Sequence, residues 1–173
     1  MRAEEVMEII DLQRELYAIE KALLKVVFRR HRRIMKPLDI MEADSYVSGK
    51  DRGFYMSFLR ECYEGAPRSE DELTILFEPC MMLNCSQDRK INIVYHELIH
   101  YLCYLKEIKD TQGHFHNEYF RKEARANMGD SDYSNDIDGY NEAYLLPEAL
   151  DKVKAELCRM EERGELWGIR KKA

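Results

Sequence analysis

The sequence predicts an α+β fold. Three observations predict it: a long run of apolar residues at helical spacing opens the chain, three short extended segments follow, and further helical stretches close it. In the span 3–33, Val6, Ile9, Ile10, Leu12, Leu16, Ile19, Leu23, Leu24, Val27 and Phe28 recur three and four apart, which lays one apolar stripe along a long amphipathic helix. Lys36-Pro37 ends it, because proline bars the helical conformation from the residue before it. The spans 38–46, 53–62 and 73–77 read as strands. Between them lie Ser48-Gly49-Lys50-Asp51-Arg52-Gly53 and Glu64-Gly65-Ala66-Pro67-Arg68-Ser69, turn chemistry that predicts a small, mostly antiparallel sheet. The run Leu73-Thr74-Ile75-Leu76-Phe77 suits a sheet edge packed beside the next helix.

That helix, about 88–106, is apolar nearly all the way round and belongs in the interior. After a loop through 109–113, a second helical stretch begins near His116, carries Tyr119, Phe120, Ala124 and Met128, and is stopped by Gly129. The span 130–139 is acidic and polar and reads as a flexible loop; it lacks the calcium-loop pattern. A last helix, 147–163, has Pro147 in its first turn and Leu150, Val153, Leu157 and Met160 on its apolar face.

A chain of 173 residues with 45% hydrophobic residues holds one domain, 1–173, whose core is expected within about 1–129. The N-terminus carries acids where a signal peptide would be basic, and no apolar stretch is long enough to cross a bilayer, so a cytoplasmic location without membrane contact is expected. Cysteines 62, 80, 85, 103 and 158 form an odd set without a C-x-x-C pair and read as reduced thiols. A net charge of −6 argues against adhesion to nucleic acid through the whole surface. Arg29-Arg30-His31-Arg32-Arg33 is the one dense basic cluster, read first as a solvated helix end and second as a nucleic-acid contact.

The chemistry concentrates in His96-Glu97-Leu98-Ile99-His100, an H-E-x-x-H motif inside the apolar helix. Residues four apart on a helix sit one above the other, so His96 and His100 can aim two imidazoles at one metal with Glu97 beside them. A buried helix could not hold these groups without partners that offset their desolvation. A catalytic zinc takes three protein ligands, and the third has four candidates: Glu118, Glu123, His114 and His116. The metzincin pattern is excluded, since its glycine and third histidine fall on Cys103 and Lys106. His116, in the first turn of the second helix, can face the motif helix, whereas His114 needs a different backbone path. Asp110 fits either a hydrogen bond that orients a ligating imidazole or a loop or N-cap bond. For the developing oxyanion Tyr119, Tyr133 and Tyr140 are in range, and none is singled out.

The span 95–129 resembles the SprT-like zinc metallopeptidases, the group that includes the protease Spartan. The resemblance rests on H-E-x-x-H, on Lys109-Asp110-Thr111, and on His116-x-x-x-Phe120 followed by Ala124 and Gly129, with His116-Asn117 in the form common among bacterial and phage members. It implies a zincin-like fold, His116 as third ligand of one catalytic Zn2+, Glu97 as general base, and peptide or protein substrates, with DNA-associated proteins among them. The paired cysteines of the zinc ribbon that many members carry are missing after Gly129, where only Cys158 remains. The rival reading is a zinc-binding adaptor or nucleic-acid-associated regulatory protein; Glu97 opposes the adaptor, because a structural site has no use for a general base.

Overall fold

In the computed structural model, which describes residues 3–43, 55–61, 72–112, 115–131 and 142–165, the chain opens with helix α1, Ala3–Val26. Glu4 and Glu5 in its first turn and Lys25 in its last oppose the helix dipole, and Ile9, Leu12, Leu16, Ile19 and Leu23 form its buried stripe. The helix is shorter than the span 3–33 predicted. A 3-10 turn, Arg29–His31, replaces its end, and the bend drives Phe28 wholly into the core, stacked on Tyr95 at 5.9 Å.

Strands β1 (Asp39–Glu42), β2 (Met56–Glu61) and β3 (Glu72–Phe77) form a sheet ordered β1-β3-β2. The expected antiparallel character holds for β2 and β3, where Phe58 faces Ile75, but β1 runs parallel to β3 with Ile40 facing Ile75, so the sheet is mixed. β3 is the central strand, not an edge. Its residues are apolar on both faces, with Ile75 and Phe77 fully buried and Leu73 and Leu76 partly so, as a middle strand requires. The outer edge of β1 is closed by α1: Gln13 Nε2 donates to Ile40 O (2.6 Å), Ile40 N donates to Tyr17 Oη (3.0 Å), and Leu38 N donates to Glu20 Oε1 (2.7 Å).

A short helix α2, Pro79–Met82, leads to α3, Gln87–Leu105, which starts at an N-cap Ser86 whose hydroxyl accepts from Arg89 N. α3 packs against α1, β2 and the elements that follow it, and buries Ile91, Val94, Tyr95, Leu98, Ile99 and Leu102. It ends in a left-handed residue, Glu107 (φ 58°), with Ile108 N donating to Cys103 O at 2.9 Å. Strands β4 (Thr111–Gln112) and β5 (Phe115–His116) pair antiparallel, then α4 covers Glu118–Ala126. Strands β6 (Gly129–Ser131) and β7 (Ala143–Leu145) pair antiparallel before α5, Pro147–Glu162, which lies on α1 and buries Val153, Leu157 and Met160.

Three expectations change here. His116 sits in β5 rather than in the first turn of the second helix. That helix ends at Ala126 with Met128 left-handed (φ 67°), so Gly129 does not stop it. Gly129 is demanded by space: a Cβ there would lie 2.3 Å from Tyr144 O and 2.4 Å from Tyr95 Oη. Asp130 and Ser131, expected in a flexible loop, belong to β6, and the remainder of the span 130–139 lies outside the described residues. No helix among the described residues is long and apolar enough to cross a membrane. Cys80, Cys85, Cys103 and Cys158 are free thiols, while Cys62 falls outside the described residues.

Candidate metal centre

His96 and His100 lie one turn apart on α3, and His116 reaches them from β5. The Nε2 atoms of His96 and His100 are 3.1 Å apart, those of His100 and His116 2.9 Å, and one ligand atom from each ring lies within 4.8 Å of the others. A tetrahedral ion with nitrogen ligands at ~2.0–2.1 Å spaces them by about 3.3 Å, so small outward movements of the rings seat one. Three imidazoles converging in this way can hold a metal ion.

Phe120 forms the floor. Fully buried on α4, it stacks on His116 (4.2 Å between centroids) and lies against His100 (4.6 Å) and His96 (5.1 Å). Burial, followed by the neighbouring His100 and His116, holds the His96 imidazole well below the usual histidine range, so it is neutral at physiological pH. Neutral imidazole is the form that binds metal.

Asp110 orients one ring. Its Oδ2 is 2.6 Å from His100 Nδ1, which fixes the proton on Nδ1 and leaves the Nε2 lone pair for a metal. Of the two roles open to Asp110, the histidine partner is the one its carboxylate takes. At His96 the contact has the opposite sense, because Ala143 N on β7 donates to Nδ1 at 3.1 Å. A neutral ring that accepts at Nδ1 carries its proton on Nε2, so His96 would have to shift that proton to Nδ1, giving up the Ala143 bond, to offer Nε2 to a metal.

Asn117 fastens the loop to the helix. Its Oδ1 caps α4 by accepting from Tyr119 N (3.0 Å) and Phe120 N (3.2 Å), and its Nδ2 donates to Lys109 O at 2.6 Å. Its backbone N donates to Asp110 O at 3.0 Å. One residue thereby sets the positions of Asp110, His116 and Phe120 together.

Glu97 is buried beside the histidines, and its Oε2 accepts from Phe58 N on β2 at 2.6 Å. Burial pushes its carboxyl up to about 7, against the lowering by His100 and by the Phe58 N–H and with a smaller push from Asp110. Phe58 in turn packs its ring against Tyr101 and Tyr104 of α3, which holds β2 to the helix.

The other candidates fall away from the cluster or outside view. Glu118 is exposed on α4, and Glu123 pairs with Lys106 (Oε2 to Nζ 2.7 Å). His114, Tyr133 and Tyr140 lie outside the described residues, and Tyr119 is half exposed. Tyr95 Oη donates to the carbonyls of Ala124 (2.9 Å) and Asn127 (3.2 Å), and Tyr101 Oη accepts from Lys36 N (3.1 Å), so both flanking tyrosines serve packing. Sequence reasoning missed the contributions of Phe58 and Ala143 altogether. For Asn117 the signal was present: an asparagine directly before a helical stretch is a capping residue. No protein-family profile, no curated protein and no solved structure matches the chain.

Proposed function

We propose that the chain is a zinc-dependent peptidase of the SprT-like type, with a zincin-like arrangement in which His96, His100 and His116 are the ligands and Glu97 is the general base. The observation that carries the reading is the convergence of the three Nε2 atoms next to a buried carboxylate that is not among them. An N3 donor set suits zinc, with a fourth position left for water, and a purely structural site usually closes with four protein ligands. When bound, zinc acidifies water and polarises a carbonyl oxygen.

The remaining steps belong to the chain. Glu97 takes the proton of the attacking water and hands it to the leaving amine; a carboxyl raised to about 7 can do both near neutral pH. Phe58 N fixes Oε2, so the base does not swing away from the reacting atoms. Asp110 keeps the His100 proton on Nδ1. β2 is an edge strand among the described residues, and the Phe58 N–H that meets Glu97 points off its outer side, so an extended peptide laid along β2 passes the carboxylate. The substrate is therefore a peptide or an unfolded stretch of protein, and the four free thiols suit a cytoplasmic setting.

Metal analysis of protein purified without added zinc tests the site. One equivalent of zinc is expected in the wild type, retained in Glu97→Gln and lost in His116→Ala, with hydrolysis of a denatured labelled protein abolished in both variants. Full metal content in His116→Ala overturns the ligand set, and hydrolysis by Glu97→Gln overturns the base.

A further inference from the structure

Five consecutive basic residues, Arg29-Arg30-His31-Arg32-Arg33, follow α1 and meet the C-terminal end of α4, whose other end follows His116. Arg29, Arg30, Arg32 and Arg33, with Val27, Ala126 and Met128, line an open cleft of about 580 Å³. His116 precedes the N-terminus of α4 and Ala126 ends it, so the nine-residue helix, on the order of 13 Å long, separates the two places.

The four arginines are not equivalent. Arg30 is structural: its guanidinium donates to Ala126 O, the open C-terminal carbonyl of α4, and to Asn127 Oδ1 at 3.2 Å, and His31 Nε2 meets the same Oδ1 at 3.1 Å. Asn127 is itself buried and donates to Glu123 O at 2.7 Å, so this wall of the cleft is fixed. Arg29, Arg32 and Arg33 are exposed and pair with no acid among the described residues. The 3-10 turn closes with Arg32 N donating to Arg29 O at 3.4 Å, which brings Arg29 and Arg32 to one side of the turn. Three exposed guanidinium groups thus line one cleft, in a chain whose net charge is −6.

We propose that this cleft is a second binding site, independent of the histidine cluster, for a ligand that carries several phosphoryl groups. Planar guanidinium forks match phosphate oxygens in pairs, and the three of Arg29, Arg32 and Arg33 in one concavity suit a multiply charged anion better than a single carboxylate. Among the described residues no aromatic ring lines the cleft to stack a nucleobase, so recognition is of phosphate charge and not of base sequence. The phosphoryl groups come from a nucleic-acid backbone or from a free polyphosphate, and affinity separates these sources.

Binding of the full chain to a mixed-sequence oligonucleotide, to tripolyphosphate and to polyglutamate of matched charge tests the proposal, each at two or more salt concentrations. The phosphoryl ligands are expected to bind with a steep salt dependence, and the tighter one names the source. Arg29→Gln/Arg32→Gln/Arg33→Gln should lower affinity at least tenfold and flatten the salt slope by roughly two units. Arg14→Gln/Lys152→Gln/Lys154→Gln removes the same charge elsewhere, on α1 and α5, and should leave affinity within about twofold. Circular dichroism should find the first variant folded, since Arg30 is kept. Equal loss in both variants, polyglutamate binding as tight as the phosphoryl ligands, or no binding at low salt overturns the proposal.

Discussion

Asp110 grips His100 through its carboxylate, Oδ2 to Nδ1 at 2.6 Å, while its carbonyl accepts the backbone N–H of Asn117, the residue after His116. A single loop residue thus ties a histidine on α3 to a histidine on β5. Asp110→Asn keeps the size of the side chain but removes the charge that favours the Nδ1–H tautomer. Zinc affinity should fall about 10–100-fold in competition with a chromophoric chelator, with one equivalent still bound at saturating metal. Unchanged affinity would remove Asp110 from the site.

Asn117 offers a separable pair of variants. Asn117→Ala loses the cap on α4 and should cost about 1–2 kcal/mol in urea unfolding, with weaker zinc binding because His116 and Phe120 are released together. Asn117→Asp keeps the accepting oxygen and replaces the donor to Lys109 O with a second acceptor. Its helix should therefore stay capped while zinc affinity still falls.

Zinc and Ala143 compete for the proton arrangement of His96. Hydrogen exchange followed by NMR should find the Ala143 amide protected without metal and faster to exchange once zinc is added, while Leu145 N, bonded to Asn92 Oδ1 at 3.0 Å, stays protected. If the Ala143 amide is indifferent to zinc, the ring is not a ligand through Nε2.

Gly129→Ala places a methyl group against Tyr144 O and Tyr95 Oη at once. A loss of about 1–3 kcal/mol is expected by denaturant unfolding. Adding Tyr95→Phe relieves the hydroxyl clash alone, and because it also removes the bonds to Ala124 O and Asn127 O, the double variant should remain less stable than the wild type.

Much of this architecture is legible in the residues. The apolar stripe of α1 marked a helix through its 3.6-residue period over many turns, and the run around His96 and His100 did so through its length and the four-residue spacing of the two histidines. The sheet order did not follow, since β1 joins β3 in parallel and no local pattern in Asp39–Glu42 encodes a distant partner. His116 was found as a candidate but placed on the wrong element: its Asn117 neighbour caps the helix and leaves the histidine outside it. Backbone groups such as Phe58 N and Ala143 N complete the site, and backbone groups carry no residue-type signal at all.

Glu20 makes stability depend on pH. Burial, with a smaller push from Asp39 and against the Leu38 N–H, raises its carboxyl from 4.5 to about 7. The folded chain therefore holds this proton more tightly than the unfolded chain, so the contribution is complete below pH ~4.5 and is lost as pH rises through about 7. The full difference is on the order of 3 kcal/mol, an upper figure. Glu20→Gln, which keeps the oxygen that accepts from Leu38 N, should gain stability relative to the wild type between pH 5 and pH 8 in urea titrations. A constant gap across that interval would show that Glu20 does not titrate there.

The side chains of Gln13, Tyr17 and Glu20 on the outer edge of β1 have a consequence for colloidal behaviour. An uncovered strand offers a row of hydrogen-bonding groups to any other strand it meets, which is how sheets from separate molecules fuse. By occupying Ile40 N and O, one helix denies neighbouring copies that template and keeps self-association out of the half of the sheet farthest from Glu97.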